Sequence, residues 1–158
     1  MNHVLKKCGN ALLCCLLCCL FMLSCKNKEQ SIELIERAYD QVENKPSAVI
    51  KMLDSIENPK GLPIKDYMSY LSVYVYAKSI LQEPLKADTI VYSAQCYFDS
   101  TQNYPREASY ANFSAGKVYL ENNRYDLALK SFMDASVYAR QTNNRTLLAK
   151  SLNNTGWV

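Results

Sequence analysis

The residues that carry most enzyme chemistry are nearly missing from this chain. Its single histidine is His3, and six of its seven cysteines lie at or before position 25. The rest of the chain therefore has no histidine base, no Ser-His dyad and no histidine to ligate a metal. After the N-terminal segment the glycines stand alone at Gly61, Gly116 and Gly156, too scattered for a loop that cradles phosphate with backbone N–H groups. Glu33 and Glu36 are a carboxylate pair one helical turn apart, the spacing of a solvated helix face more than of an acid–base couple. Cys96 falls between Ala94 and Phe98 in a helical stretch, which predicts a small buried hydrophobe in place of a redox thiol. The expectation is a protein that is not an enzyme and uses no cofactor, metal or small-molecule substrate.

What positions the remaining side chains is helix. Of 158 residues, 49% are apolar and 21% charged, with four Gly and five Pro, enough for one folded domain and too ordered a composition for a linker or disordered chain. Apart from Lys6 and Lys7, basic and acidic residues nearly balance, so no nucleic-acid partner is expected.

Lys6 and Lys7 precede an apolar run over 11–23, followed by Ser24 and Cys25. The order of basic patch, apolar stretch and small residue is that of a secretory signal, and the run is shorter than the roughly 20 residues a spanning helix needs. Leu23-Ser24-Cys25 resembles a bacterial lipobox, whose cysteine is acylated and becomes the first mature residue. The division implied is a signal peptide at 1–24, an acylated Cys25 with a polar tether at 25–30, and a folded part at 31–158. Two or three acyl chains, at about 0.8 kcal/mol per buried methylene, hold a protein stably on a membrane. An uncleaved anchor or an ordinary signal are the other readings of the same run. With the signal removed only Cys25 and Cys96 remain, and no disulfide framework is possible. Lys26 stands where the inner-membrane retention signal has aspartate, which favours the outer membrane or the periplasmic face.

The folded part repeats. Tyr39, Ala48, Met52 and Ser55 recur eighty residues later as Tyr119, Ala128, Phe132 and Ala135, and Gly116 recurs forty later as Gly156. Halfway between, Tyr92 holds the place of Met52 and Phe132, while a shift of one residue offers Ala87, Val91 and Ala94 instead. Small residues at Gly116, Ala128 and Ala135 predict close helix approach, with Tyr119 and Phe132 filling the gaps. Helices are expected at 31–43, 47–57, 66–81, 87–101, 106–121, 125–140 and 145–158, broken by Pro46, 58–63, Pro84 and 103–105. Tyr67, Tyr70, Leu71, Tyr74, Lys78 and Leu81 are expected on or near one packed face.

The unit from Ser109 to Arg140 resembles a tetratricopeptide repeat: Ala115-Gly116, Tyr119, a polar turn, then Ala128, Phe132 and Ala135. It departs from that pattern at Asn112, Ala115 and Arg140, where the family has tryptophan, leucine and proline, and its period is forty. The resemblance implies an all-α, right-handed solenoid of antiparallel helix pairs, its last repeat incomplete at Val158. It also implies a ligand groove lined by Tyr110, Phe113, Lys117, Leu120, Lys150, Asn153 and Trp157, suited to a protein or peptide segment. With the lipobox, the chain is similar to a group of Bacteroidota lipoproteins, some of which continue into signalling domains. Asp54-Ser55-Ile56, Asp88-Thr89-Ile90 and Asp99-Ser100-Thr101 resemble the O-glycosylation motif of exported Bacteroidota proteins, with Ser55, Thr89 and Ser100 as acceptors. Two functions are therefore expected: a lipid-anchored scaffold that binds a protein segment in the cell envelope, or the severed sensor part of a longer signalling lipoprotein.

Overall fold

Proline and amide residues set most of the boundaries. Pro46 and Pro105 open helices at the first turn, where a missing N–H costs nothing, and Asn144 Oδ1 accepts the Leu147 N–H at 3.0 Å to cap another. The computed structural model describes residues 27–158; Cys25 and the apolar run over 11–23 lie outside them. Among the described residues there are seven α-helices and no strand. They are α1 (described over 27–41), α2 (Pro46–Asp54), α3 (Ile64–Ile80), α4 (Val91–Thr101), α5 (Pro105–Glu121), α6 (Tyr125–Gln141) and α7 (Arg145–Thr155), with a 3-10 turn at Pro59–Gly61. No described helix is long and apolar enough to cross a membrane.

The chain divides into two units, 1–33 and 34–158. In the first, residues 27–33 are helical and Ser31 Oγ donates to the Asn27 carbonyl at 2.8 Å. In the second, each helix from α3 onward packs on the one before it, and α5 also packs on α3. Three-residue turns join α4 to α5, α5 to α6 and α6 to α7, which forces each pair antiparallel. Gln102, Asn123 and Asn143 in these turns have φ of 52°, 57° and 55°, the left-handed conformation that lets a helix end and the chain reverse.

Helix α5 is buried from Glu107 through Gly116 on every face. It separates two apolar clusters. One gathers Ile35, Val42, Leu53, Tyr76, Phe113, Phe132 and Leu147; the other gathers Met68, Leu71, Leu85, Val91, Phe98 and Val118. A helix buried all round must carry small side chains wherever a neighbour crosses. A Cβ on Gly116 would lie 2.6 Å from Phe132 Cε1, so the ring rests directly on the α5 backbone.

Several sequence expectations need correction. Residues 87–90 are turns, because Asp88, Val91, Tyr92 and Ser93 donate to carbonyls three residues back and Lys78 holds Asp88 at 2.6 Å. The second and last helices end at Asp54 and Thr155, short of 57 and 158. The inward stripe of α2 is Val49 and Leu53, followed by Ile56, one residue on from Ala48, Met52 and Ser55; Ala48 and Ser55 are exposed and Met52 half-buried. On α4 the shifted register holds for Val91 and Ala94, which are buried, while Ala87 is exposed outside the helix. Cys96 is exposed, since the buried face of α4 is Val91, Ala94, Gln95 and Phe98 and Cys96 points away from it. The tyrosine face of α3 does pack as expected: Tyr67, Tyr70 and Tyr74 lie half-buried against the apolar core and stack on one another, at 6.4 and 5.5 Å between centroids.

Candidate functional site

Alternate helices α1, α3, α5 and α7 turn aromatic and charged side chains toward one another. Tyr110 of α5 meets Tyr39 of α1 at 5.0 Å and Tyr76 of α3 at 4.7 Å, both edge to face, and Phe113 meets Tyr76 at 5.3 Å. The hydroxyls are all used. Tyr39 donates to the Ser69 carbonyl at 3.1 Å, Tyr76 donates to Glu43, and Tyr110 accepts from Asn144 Nδ2 at 3.2 Å. Burial, and the Glu43 carboxylate beside it, push the Tyr76 phenol far above its ordinary value, so it remains a neutral donor. Lys150 of α7 completes the group, donating to Glu43 at 2.7 Å and to Tyr76 Oη at 3.0 Å.

A second charged group sits at the other end of α1. Arg106 pairs with Glu36 and, at 2.9 Å, with Glu107, while its guanidinium lies 4.8 Å from the Tyr39 ring centroid. Lys65 reaches Glu36 and Asp66, each at 3.4 Å. Desolvation raises the Glu36 carboxyl, but Arg106 and Lys65 outweigh it and leave the group below its ordinary range. Glu36 is thus engaged in ion pairs with Arg106 and Lys65.

A third network is buried between α4, α5 and α6. Gln95 Nε2 donates to Asn112 Oδ1 and to Ser131 Oγ, both at 2.9 Å, and Asn112 Nδ2 donates to Asp99 at 2.8 Å. Asn112 stands where the tetratricopeptide pattern has tryptophan. Its amide is fully paired, which is the condition for burying it. Burial pushes the Asp99 carboxyl up, against the pull of Asn112.

The groove candidates separate into two sets. Tyr110 and Phe113 are buried at 4% exposure each, inside the apolar cluster that includes α1. Lys150 is half-buried and engaged with Glu43. Lys117 and Leu120 are half-buried near the end of α5, and Asn153 and Trp157 are exposed near the end of α7, Trp157 at 81%. The structure therefore places Tyr110 and Phe113 in the core and engages Lys150 with Glu43 and Tyr76, packs Leu120 half-buried against the core, and leaves Lys117, Asn153 and Trp157 more open.

Elsewhere, Tyr119 stacks on Tyr92 at 4.1 Å, an environment unlike that of its sequence counterpart Tyr39. Ala128, Phe132 and Ala135 are fully buried, and Gly156 has no side chain against it. Ser55, Thr89 and Ser100 are exposed; Ser55 and Ser100 donate to carbonyls three residues back, at 2.6 and 2.8 Å. An open hollow of about 540 Å³ lies over α3 and α4, lined by Ile64, Met68, Tyr92, Cys96 and Tyr97. Among the described residues no three His, Cys, Asp or Glu side chains converge as a metal site would require.

Sequence reading missed Glu43, Tyr76 and Arg106, whose pairings Glu43–Tyr76, Arg106–Glu36 and Glu43–Lys150 span 33, 70 and 107 residues and leave no local signal. It also missed exposed Met133 and Val137 on α6, which their spacing of four, off the alanine stripe, does signal. No protein-family model matches the chain, and no curated protein and no solved structure matches it either.

Proposed function

We propose that this chain is a non-catalytic repeat scaffold, lipid-anchored through Cys25 in the cell envelope, that binds a protein or peptide segment. The fold it would use is a right-handed solenoid of tetratricopeptide-like helix pairs. Successive antiparallel packing, three-residue turns and the seating of Phe132 on Gly116 support that reading.

The observation that carries the binding role is the use made of the polar side chains. Glu36, Glu43, Arg106, Lys150 and Tyr76 are engaged in structural pairs within the fold. Lys117, Asn153 and Trp157 stay more open, an aromatic anchor with cationic and amide groups. An extended or helical peptide with mixed apolar and acidic character fits that chemistry.

The test is photo-crosslinking from position 117 in the full chain, expressed in its native host. One discrete protein adduct is expected, lost in Leu120→Asp and in Trp157→Ala. Absence of adducts from positions 117, 120, 153 and 157 alike would overturn the groove. A Cys25→Ser chain that still sediments with membranes would overturn the anchor.

A further inference from the structure

In a repeat array each unit touches its neighbours alone, and α1 does not keep to that. Between residues 34 and 43 the chain meets α3 of the adjacent helix pair, α5 of the pair beyond and α7 further on. Tyr39 donates to the Ser69 carbonyl, its ring lies edge to face on Tyr110, and Glu43 accepts from Lys150. The segment is thus laid along three alternate helices, and Tyr110 and Lys150, both expected to line a ligand groove, are among the residues it uses.

The sequence of α1 fits that different place. Eighty residues before Gly116, which carries the Phe132 ring, stands Glu36, and it turns to Arg106 and Lys65. Ile35, Ala38, Tyr39 and Val42 form a buried stripe at i, i+3, i+4 and i+7, none more than 5% exposed. Glu36, Tyr39 and Glu43 meet Lys65, Ser69 and Tyr76 in that order, so the segment runs parallel to α3. Its two carboxylates and their cations keep between 23% and 40% of their side chains in solvent, which screens the pairs and lets another carboxylate reach the same cations. Helix α2 is joined to α3 directly, through buried Val49 and Leu53 and through Asp54, which accepts from Tyr74 at 3.0 Å.

We propose that the surface of α3, α5 and α7 beneath residues 34–43 is a docking groove for a helix of a second polypeptide, and that 34–43 is its resident occupant, displaced when that helix binds. The incoming helix runs parallel to α3 and carries what the resident carries. It has apolar side chains at i, i+3, i+4 and i+7, the one at i+4 aromatic with a hydroxyl for the Ser69 carbonyl, and carboxylates at i+1 and i+8 for Arg106 and Lys150. The proposal rests on the reading that the chain binds a protein segment, and it gives that segment its chemistry.

The probe is a fluorescein-labelled peptide of residues 31–45, locked as a helix by a lactam from Glu33 to the amine introduced by Arg37→Lys, both positions being exposed on α1. It is titrated by anisotropy against the full chain. Saturable binding is expected, tightened at least tenfold by Ala38→Asp in the chain, which unseats the resident, and lost with Ala38→Asp in the peptide. In the Ala38→Asp chain, Lys150→Glu weakens binding at least fivefold and Glu43→Lys in the peptide restores it. Amide exchange of the 15N-labelled wild-type chain, in which the peptide is invisible, speeds up at 34–43 on saturation, as local opening requires. No saturation with either chain, or unchanged exchange at 34–43, would overturn the proposal. An Ala38→Asp chain without a cooperative helical melt would do the same, since 34–43 would then belong to the fold, and so would a concentration-dependent dimer dispersed by the peptide, which would give the groove to a second copy. Crosslinked adducts from position 117 beside a peptide that does not bind would sink this proposal and spare the open surface; binding without those adducts would do the reverse.

Discussion

Glu43, in the turn after α1, accepts a hydrogen bond from Lys150 Nζ of α7 at 2.7 Å across 107 residues of sequence. The bond joins the first hairpin of the second unit to the last helix and closes the aromatic layer of Tyr39, Tyr76 and Tyr110 between them. Its worth follows from its partners more than from its charges. Lys150 keeps 35% of its side-chain exposure, so solvent screens the ion pair, whereas Glu43 also takes the buried Tyr76 hydroxyl.

Glu43→Ala should therefore cost more than Lys150→Met, about 2 against about 1 kcal/mol. The coupling energy in a double-mutant cycle should be about 0.5–1 kcal/mol. Urea unfolding of the four chains measures it. A coupling near zero would mean that the layer closes through its aromatic contacts alone.

Gly116→Ala places a methyl group against the Phe132 ring at van der Waals overlap. The expected loss is about 1–3 kcal/mol, the range for overpacking a filled core. Phe132→Leu in the same chain should recover part of it, because a shorter side chain vacates the position of Cε1. Strict additivity of the two changes in thermal melts would contradict the contact.

Gln102 ends α4 at φ 52° and ψ 8°, with its N–H donating to the Phe98 carbonyl at 3.1 Å. Glycine adopts that conformation without a Cβ clash, so Gln102→Gly should raise stability by a few tenths to about 1 kcal/mol. Gln102→Val should lower it. The two melting temperatures must move in opposite directions.

Glu36 is held below its ordinary value of 4.5, since Arg106 and Lys65 outweigh its desolvation. A carboxyl depressed on folding adds stability above its unfolded value, and that stability is lost as pH falls through the folded one. Stability should thus drop below about pH 4.5, and Glu36→Gln should flatten that acid limb while lowering stability at pH 7. Parallel acid limbs for the two proteins would count against the ion-pair cluster.

Asp99 runs the other way. Burial lifts its carboxyl above the ordinary 3.8, so its charged form opposes folding above the folded value and the opposition fades as pH falls. Asp99→Asn keeps an oxygen to accept from Asn112 Nδ2 and removes the buried charge. Equal or greater stability at pH 7 is expected, and a loss above about 1 kcal/mol would show that the charge strengthens the Gln95–Asn112–Ser131 network.

Helix content and order were legible in the sequence because they rest on local signals: apolar spacing, Pro46 and Pro105 at first turns, polar triplets between helices. The approach of Phe132 to Gly116 was legible for the same reason, since a glycine inside a repeat of alanines marks a crossing point. Register was less so. In α2 the choice between Ala48, Met52 and Ser55 and the adjoining Val49, Leu53 and Ile56 depends on which face meets α3, and one residue turns a helix by only 100°. Cys96 was misread for that reason too, as its neighbours Ala94 and Phe98 are apolar whichever way the helix is turned.

The sequence by itself determined that residues 27–158 fold as helices and that histidine is nearly absent. Tertiary structure alone decided that Tyr110 and Phe113 belong to the core, that Lys150 is engaged by Glu43, and that Leu152 and Met133 stay bare. Helix formation is settled within a turn or two by hydrogen bonds four residues apart. Which residues of a helix are covered depends on partners up to 107 residues away, and no local pattern encodes where those partners arrive.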